Sequence, residues 1–264
     1  MNEILKIEGL SVSYFNREKA IPALRRINLS IKEGKVLSIV GESGCGKTTL
    51  AMSIARLLPV NAEILEGSII FNGQDICRMS EKELEDIRGK QIGYIFQDPT
   101  AALNPVLSIG AQLIETIRNS LRLDKRQAHL EACRLLELVN IPDPTNYLKF
   151  YPHQLSGGLN QRVMIALALA SKPKLLIADE PTSNLDVTIG AAILQLLLDL
   201  KVKLGLSIIF ITHDLSLVSF LADETAVMLQ GQLIEIQETQ RLFNQPREMY
   251  TRELLNSSKF ASLI

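Results

Sequence analysis

Val36-Leu37-Ser38-Ile39-Val40-Gly41-Glu42-Ser43-Gly44-Cys45-Gly46-Lys47-Thr48-Thr49-Leu50-Ala51-Met52 is the stretch on which the reading of this chain turns. Residues 36–40 form a short apolar run of the kind that makes a buried strand. Gly41–Thr48 then fits G-x-x-x-x-G-K-[ST], with glycines at 41, 44 and 46, where a side chain would block close approach of the backbone to an anion. Successive N–H groups pointing inward at a helix start make a phosphate nest. Lys47 brings a point charge to the β- and γ-phosphates, and Thr48 offers a hydroxyl to Mg²⁺. The nucleotide-contacting set is therefore Gly41, Ser43, Gly44, Cys45, Gly46, Lys47, Thr48 and Thr49. The helix is expected to run to about Leu58, where Pro59 stops it.

Leu155-Ser156-Gly157-Gly158, followed by Gln161-Arg162, is a second glycine-bearing helix start. It suits the phosphates of another nucleotide approached from the opposite side, so the chain is expected to work as a dimer that closes on ATP. Asp179-Glu180 ends the apolar run Leu175–Ala178. Such a pair is common at strand ends, but ligands of open α/β sheets gather there. With a phosphate loop upstream, Asp179 becomes the Mg²⁺ anchor and Glu180 the group that polarises the attacking water. Gln97 follows Ile95-Phe96, and its amide oxygen can reach the metal or the water. His213 follows Ile208–Ile211 in the same way. A lone histidine is more often an ordinary surface or core residue; here the strand-end position favours a γ-phosphate contact. His129, on an expected helix, and His153, in a turn, keep the ordinary reading.

The rest of the chain sets bounds. At 264 residues and 47% hydrophobic content it allows one large domain, or one domain with a subdomain. A net charge of −1 leaves no electrostatic footprint for general nucleic-acid binding. Cys45, Cys77 and Cys133 form no C-x-x-C pair, which disfavours disulfides or zinc and fits a reducing cytosol. Met1–Leu5 lacks the blocks of a signal peptide, and the longest apolar run, 163–170, is too short to span a bilayer. Alternation predicts strands over Ile4–Tyr14 and Ala23–Ile31; Gly67–Phe71, Gln91–Phe96 and Ser207–Ile211 read as further strands, and Thr225–Leu229 with Gln232–Ile236 as a hairpin. From Pro105 to Ser171 the pattern is helical, with Ala128, Ala132, Leu135, Leu136 and Val139 at helix spacing, and Ile189–Leu204 is helical again. The layout is an α/β core interrupted by a helical insert.

These motifs, in this order and over almost the whole chain, resemble an ATP-binding subunit of an ABC transporter: Walker A at Gly41–Thr48, Q-loop at Gln97, signature at Leu155–Leu159, Walker B at Leu175–Asp179, Glu180, D-loop at Ser183–Asp186 and switch His213. The resemblance implies a P-loop NTPase fold with an N-terminal antiparallel β subdomain and an inserted α-helical subdomain. It implies one domain over 1–264, with the core at about 1–97 and 172–264 and the signature subdomain at about 98–171. Tyr14 would stack on adenine, with ATP and Mg²⁺ as cofactors. Thr48, Gln97 and Asp179 would serve the metal, Glu180, His213 and Gln97 the chemistry, and Ser156, Gly157, Gly158 and Asp186 would serve the nucleotide across a head-to-tail dimer. The partners implied are a second, different ATPase subunit, two membrane permeases and an extracytoplasmic solute-binding protein, with no nucleic acid. The chain would sit on the cytoplasmic face of the cell membrane.

Phe96–Pro105, Tyr151–Gln154, Asp186–Thr188 and the tail Gln245–Leu255 are similar to the ATPases of peptide and nickel importers. The chain stops at Ile264 with no cysteine after Cys133, so no iron–sulfur cluster is expected, and its shortness is closer to the nickel type. The competing class is soluble ABC-type ATPases of DNA maintenance or translation. Residues 98–154 are too few for their long coiled coils, and one phosphate loop is present rather than two. Leu159 departs from the usual Gln or Met of the signature, and Asn184 from the usual small residue of the D-loop. Cys45, at a helix start beside Lys47, is expected to have a lowered pKa.

Overall fold

The structure, a computed structural model, describes residues 2–16 and 19–257. Both chain ends, at Met1 and Ile264, lie outside the described residues. Contacts divide the chain into two units, one of residues up to Leu84 together with those from Ser207 onward, the other Glu85–Leu206. The first unit opens with β1 (Glu3–Asn16), β2 (Lys19–Lys32), β3 (Val36–Val40), α1 (Lys47–Ile54), β4 (Ala62–Phe71) and β5 (Gln74–Asp75). Helix α2 (Glu81–Lys90) carries the chain into the second unit. That unit holds β6 (Ile92–Ile95), α3 (Pro99–Ala102), α4 (Ile109–Leu121), α5 (Lys125–Leu138), α6 (Pro144–Tyr147), α7 (Gly157–Leu169), β7 (Leu175–Asp179) and α8 (Val187–Leu204). The first unit resumes with β8 (Ser207–Thr212), α9 (Leu215–Leu221), β9 (Glu224–Leu229), β10 (Gln232–Glu238), α10 (Thr239–Asn244) and α11 (Met249–Ser257).

In the first unit an antiparallel sheet runs in the order β2-β1-β4-β5. Leu5, Ile7, Leu10 and Val12 of β1 are buried, as the alternation in the sequence predicts. The turn between β4 and β5 uses Asn72 and Gly73, both at positive φ (48° and 79°), the geometry that a two-residue hairpin loop demands. Gln230 and Gly231 (46° and 79°) close the β9–β10 hairpin in the same way. β10, β9, β3 and β8 lie side by side, with β3 parallel to both β8 and β9. Every residue of β3 and β8 is buried, which explains why they are mostly apolar rather than alternating. Val40, Leu215, Val218, Val227 and Leu242 form a core cluster on which Tyr250, Leu254 and Leu255 of α11 pack.

Helix α1 is shorter than the sequence predicts. It ends at Ile54 and not near Leu58, because Arg56 turns left-handed at φ 54°. Arg56 N–H then bonds the Ser53 carbonyl and Leu57 N–H the Met52 carbonyl, which closes the helix in a Schellman motif ahead of Pro59. β4 begins at Ala62, five residues before the expected start. Helices α2, α3, α9, α10 and α11 are additions to the sequence reading.

In the second unit β6 and β7 pair in parallel, Ile92 opposite Leu175 through Ile95 opposite Ala178. The segment between them is helical. Ser108 caps α4, and Asp124 with Gln127 makes a capping box on α5. Ala128, Ala132, Leu135, Leu136 and Val139 are all buried, so the periodic stripe of the sequence is the packed face of α5. No helix among the described residues is long and apolar enough to cross a membrane.

Candidate active site

The first unit carries the glycine loop. A Cβ on Gly41, at φ 154°, would lie 2.2 Å from the Met228 carbonyl oxygen, and one on Gly46, at φ 109°, 2.8 Å from that of Ala23. The loop is thus pressed against neighbouring backbone at both glycines, and only hydrogen fits. It is braced from outside by Gly231 N–H donating to the Cys45 carbonyl at 2.9 Å, and internally by Cys45 N–H donating to the Glu42 carbonyl at 3.3 Å. Lys47 is 5% exposed. Its Nζ donates to the carbonyls of Gly41 (2.7 Å) and Glu42 (2.9 Å). Ser43, Gly44 and Thr48 are exposed around the loop, and Thr49 is buried behind it.

Tyr14 on β1 shares a hydrogen bond with the Thr49 hydroxyl at 3.2 Å, tying the N-terminal sheet to the first turn of α1. Val40 pairs with Thr212, so Gly41 and His213 leave adjacent parallel strands at the same end. His213 is exposed there, just ahead of Asp214, whose carboxylate accepts from Ser216 N–H and caps α9.

The Cys45 thiol departs from expectation. The side chain is buried, and burial pushes its pKa up against the opposing pull of Lys47. The helix end and ammonium favour the thiolate as the sequence argument holds, but desolvation of a charged sulfur is the larger effect.

The second unit carries the acidic strand end. Ile95 of β6 sits opposite Ala178 of β7, so Gln97 and the Asp179-Glu180 pair emerge together. Gln97 Nε2 donates to Glu180 Oε2 at 3.1 Å, and Asn184 Nδ2 donates to the Gln97 carbonyl at 3.3 Å. Asp179 is 3% exposed and accepts from the Tyr94 hydroxyl at 3.0 Å. Burial and the neighbouring carboxylate push the Tyr94 phenol far above its ordinary pKa, so it stays a donor. Glu180 adopts a left-handed backbone, φ 46°, and its carbonyl accepts from the Ser183 hydroxyl at 3.0 Å.

Ser156 caps α7, its hydroxyl accepting from Leu159 N–H at 3.3 Å. Gly157 is exposed in the first turn and Gly158 is buried, with room for no side chain: a Cβ would lie 2.7 Å from Ile189 Cγ2. Asp186 caps α8 through Ile189 N–H at 2.9 Å. His129 lies on α5 near Cys133, and His153 stacks on Tyr151. Among the described residues no three His, Cys, Asp or Glu side chains are gathered as a metal cluster.

Tyr94 and Asn184 thus join the site in roles that the sequence does not announce. No pattern along β6 singles out Tyr94; only the register with β7 brings Asp179 to it.

The protein-family model described as ABC transporter matches residues 24–183. The dipeptide transport ATP-binding protein DppD of Bacillus subtilis is 45% identical over 258 residues, covering 97% of this chain and 77% of the relative. The oligopeptide transport ATP-binding protein OppD of the same organism is 45% identical over 97% of this chain and 72% of its own length. Among solved structures, the ATP-binding cassette MJ0796, a dimer in a post-hydrolysis state with ADP and Pi, superposes with a TM-score of 0.80 at 30% identity, covering 89% of this chain and 98% of that one. CbiO1 from Clostridium perfringens, part of the ABC transporter complex cbiONQ, gives 0.80 at 31% identity, covering 93% and 92%. With its glycine loop, strand-end carboxylates and capped Ser-Gly-Gly helix in the family's order, the chain belongs to the ABC transporter family as an ATP-binding, ATP-hydrolysing subunit.

Proposed function

We propose that this subunit powers uptake of peptides through a membrane permease, and that the residues gathered at the strand ends carry the hydrolysis. The observation that supports the chemistry best is the Gln97–Glu180 hydrogen bond beside the buried Asp179. It sets a carboxylate and an amide at the ends of adjacent parallel strands, where a water can be oriented for in-line attack. The peptide assignment is supported by the dipeptide and oligopeptide transport proteins to which the chain is 45% identical. It is favoured over nickel, and transport is favoured over a soluble role.

In this reading Gly41, Ser43, Gly44, Cys45, Gly46, Lys47, Thr48 and Thr49 take the triphosphate, and Tyr14 takes the adenine. Lys47, positioned by the carbonyls of Gly41 and Glu42, presents its ammonium to the phosphates. Thr48, Gln97 and Asp179 supply a hydroxyl, an amide oxygen and a carboxylate, the hard oxygen donors that suit Mg²⁺. When bound, Mg²⁺ neutralises charge on the phosphate oxygens. Glu180 accepts the proton of the attacking water, Gln97 orients Glu180, and His213 stabilises the γ-phosphate. Ser156, Gly157, Gly158 and Asp186 serve the nucleotide of a second ATPase subunit placed head to tail. Two permeases and an extracytoplasmic binding protein complete the transporter, and the permeases hold this chain at the cytoplasmic face of the membrane. The domain reading that goes with this is a core of about 1–97 and 172–264 around a signature subdomain of about 98–171.

Uptake of a labelled dipeptide by cells that depend on this gene tests the proposal. Wild type should restore uptake, and Lys47→Ala, which also loses nucleotide affinity in the purified chain, should not. Restoration by Lys47→Ala, or nickel uptake without peptide uptake, overturns it.

A further inference from the structure

The tail motif Gln245–Leu255 has no part in the chemistry above, yet it reaches the glycine loop. Tyr250 on α11 accepts a hydrogen bond from the Glu42 backbone N–H at 3.3 Å. That N–H belongs to the same peptide unit as the Gly41 carbonyl, which accepts from Lys47 Nζ at 2.7 Å. A peptide unit is planar, so its C=O cannot turn without its N–H. One plane is therefore held on one edge by a tyrosine 208 residues away in sequence and on the other by the lysine of the loop.

Tyr250 is itself held. Its ring packs on the Val40, Leu215, Val218, Val227 and Leu242 cluster. The chain just ahead of α11 is fixed by Glu235 of β10, which is 6% exposed. Glu235 Oε1 accepts from Arg247 N–H at 2.9 Å and Oε2 from Glu248 N–H at 3.1 Å, with Gln237 donating beside them. A buried carboxylate held by charge-assisted bonds to backbone N–H groups makes a firm anchor. The order of contacts is Glu235, the start of α11, Tyr250, the Gly41–Glu42 peptide, Lys47.

We propose that Tyr250 is a positioning residue for nucleotide binding: its hydroxyl orients the Gly41–Glu42 peptide that holds Lys47, and Glu235 fixes Tyr250 from behind. The tail motif is then part of the nucleotide site, acting without touching nucleotide. This rests on the reading of Gly41–Thr48 as the ATP-binding loop.

The test uses the full chain, N-methylanthraniloyl-ATP with Mg²⁺ as the probe, and four variants. Tyr250→Phe keeps the ring in its cluster and removes only the hydroxyl. The dissociation constant should rise about fivefold, the scale of one such hydrogen bond, with the nucleotide-free melting temperature nearly unchanged. Amide exchange of Glu42, read without nucleotide, should quicken in the same variant. A packing role alone would lower the melting temperature while leaving affinity and exchange as in wild type, and that result overturns the proposal. Glu235→Gln should also weaken binding, but the double variant Glu235→Gln/Tyr250→Phe should bind no worse than Tyr250→Phe. Fully additive losses break the relay through Tyr250. Lys47→Ala separates the two levels: wild-type affinity in that variant removes the loop assignment itself. Lost affinity there, with Tyr250→Phe unchanged, removes the positioning role alone.

Discussion

Tyr94 donates its phenolic hydrogen to Asp179 Oδ2 at 3.0 Å, so the carboxylate that closes β7 is held from the adjacent strand β6. Tyr94 lies opposite Ile177, and Asp179, two residues on, projects from the same face. Tyr94→Phe removes a hydrogen bond to a charged group at a buried site. It should cost about 2 kcal/mol in chemical denaturation and lower turnover more than nucleotide affinity. The pH dependence has a definite sign. The folded-state pKa of Tyr94 is raised, so its contribution to stability is complete below the ordinary tyrosine value and is lost as pH rises through and beyond about 10. The variant should lack that alkaline loss, and denaturation curves from pH 8 to 11 check it.

Glu180→Gln keeps the shape of the side chain, and Gln97 can still donate to its amide oxygen. What goes is the charge proposed to accept a proton from water. Hydrolysis in the assembled transporter should fall by about 100-fold or more, while ATP binding persists and a closed dimer accumulates. Phosphate release and size-exclusion measurements read the two effects. Turnover near wild type would remove Glu180 from the chemistry.

Cys45 should react slowly with thiol-alkylating reagents at neutral pH, because burial favours the protonated thiol. The rate should climb with pH into the alkaline range. MgATP should protect the site, and Cys45→Ser should remain active and resist inactivation. Cys77 and Cys133 are more exposed, so peptide mapping by mass spectrometry is needed to assign the modified thiol. Fast labelling at neutral pH, untouched by MgATP, would contradict the buried placement.

Gly158→Ala places a methyl 2.7 Å from Ile189 Cγ2 on α8. Overpacking of this kind should cost about 1–3 kcal/mol. Ile189→Ala in the same chain should recover part of the loss, since it removes the clashing methyl. Thermal denaturation of the single and double variants measures the coupling. A fully stable Gly158→Ala would show that α7 and α8 are not packed this closely.

The proposed head-to-tail pairing also sets an expectation for the isolated chain. Its ATPase activity should be low and should rise when its partner subunits are added. Full activity in demonstrably monomeric protein would exclude a signature supplied in trans.

The strands that bear the site were legible in the sequence because their chemistry is local. Val36–Val40 and Leu175–Ala178 are apolar runs that end in glycine or acid, and the hairpin turns at Asn72-Gly73 and Gln230-Gly231 announce their positive φ. Helix α1 was misjudged at its end because nothing in Arg56 signals a left-handed residue. Helix α2 is mostly polar, with Leu84 and Ile87 as its buried contacts, too few to set a period. Helix α9, Leu215–Leu221, is nearly all apolar and so shows no period either. The Cys45 reading weighed the nearby charge, which is sequence-adjacent, but not burial, which is tertiary. Tyr94 and Tyr250 escaped for the same reason: their partners lie 85 and 208 residues away.

With the hydrolytic role proposed for Glu180, its left-handed backbone sets stability and chemistry in opposition at one position. A residue with a Cβ held there costs about 1 kcal/mol, which Gly would avoid and Asn, whose short side chain can hydrogen-bond locally, would lessen. A laboratory selection for heat resistance alone would therefore drift toward Gly or Asn at 180. On the role proposed for Glu180, it would enrich sturdier subunits that load ATP without hydrolysing it. Any thermostable variant raised for structural work on the transporter should be sequenced at this codon before its resting state is taken as native.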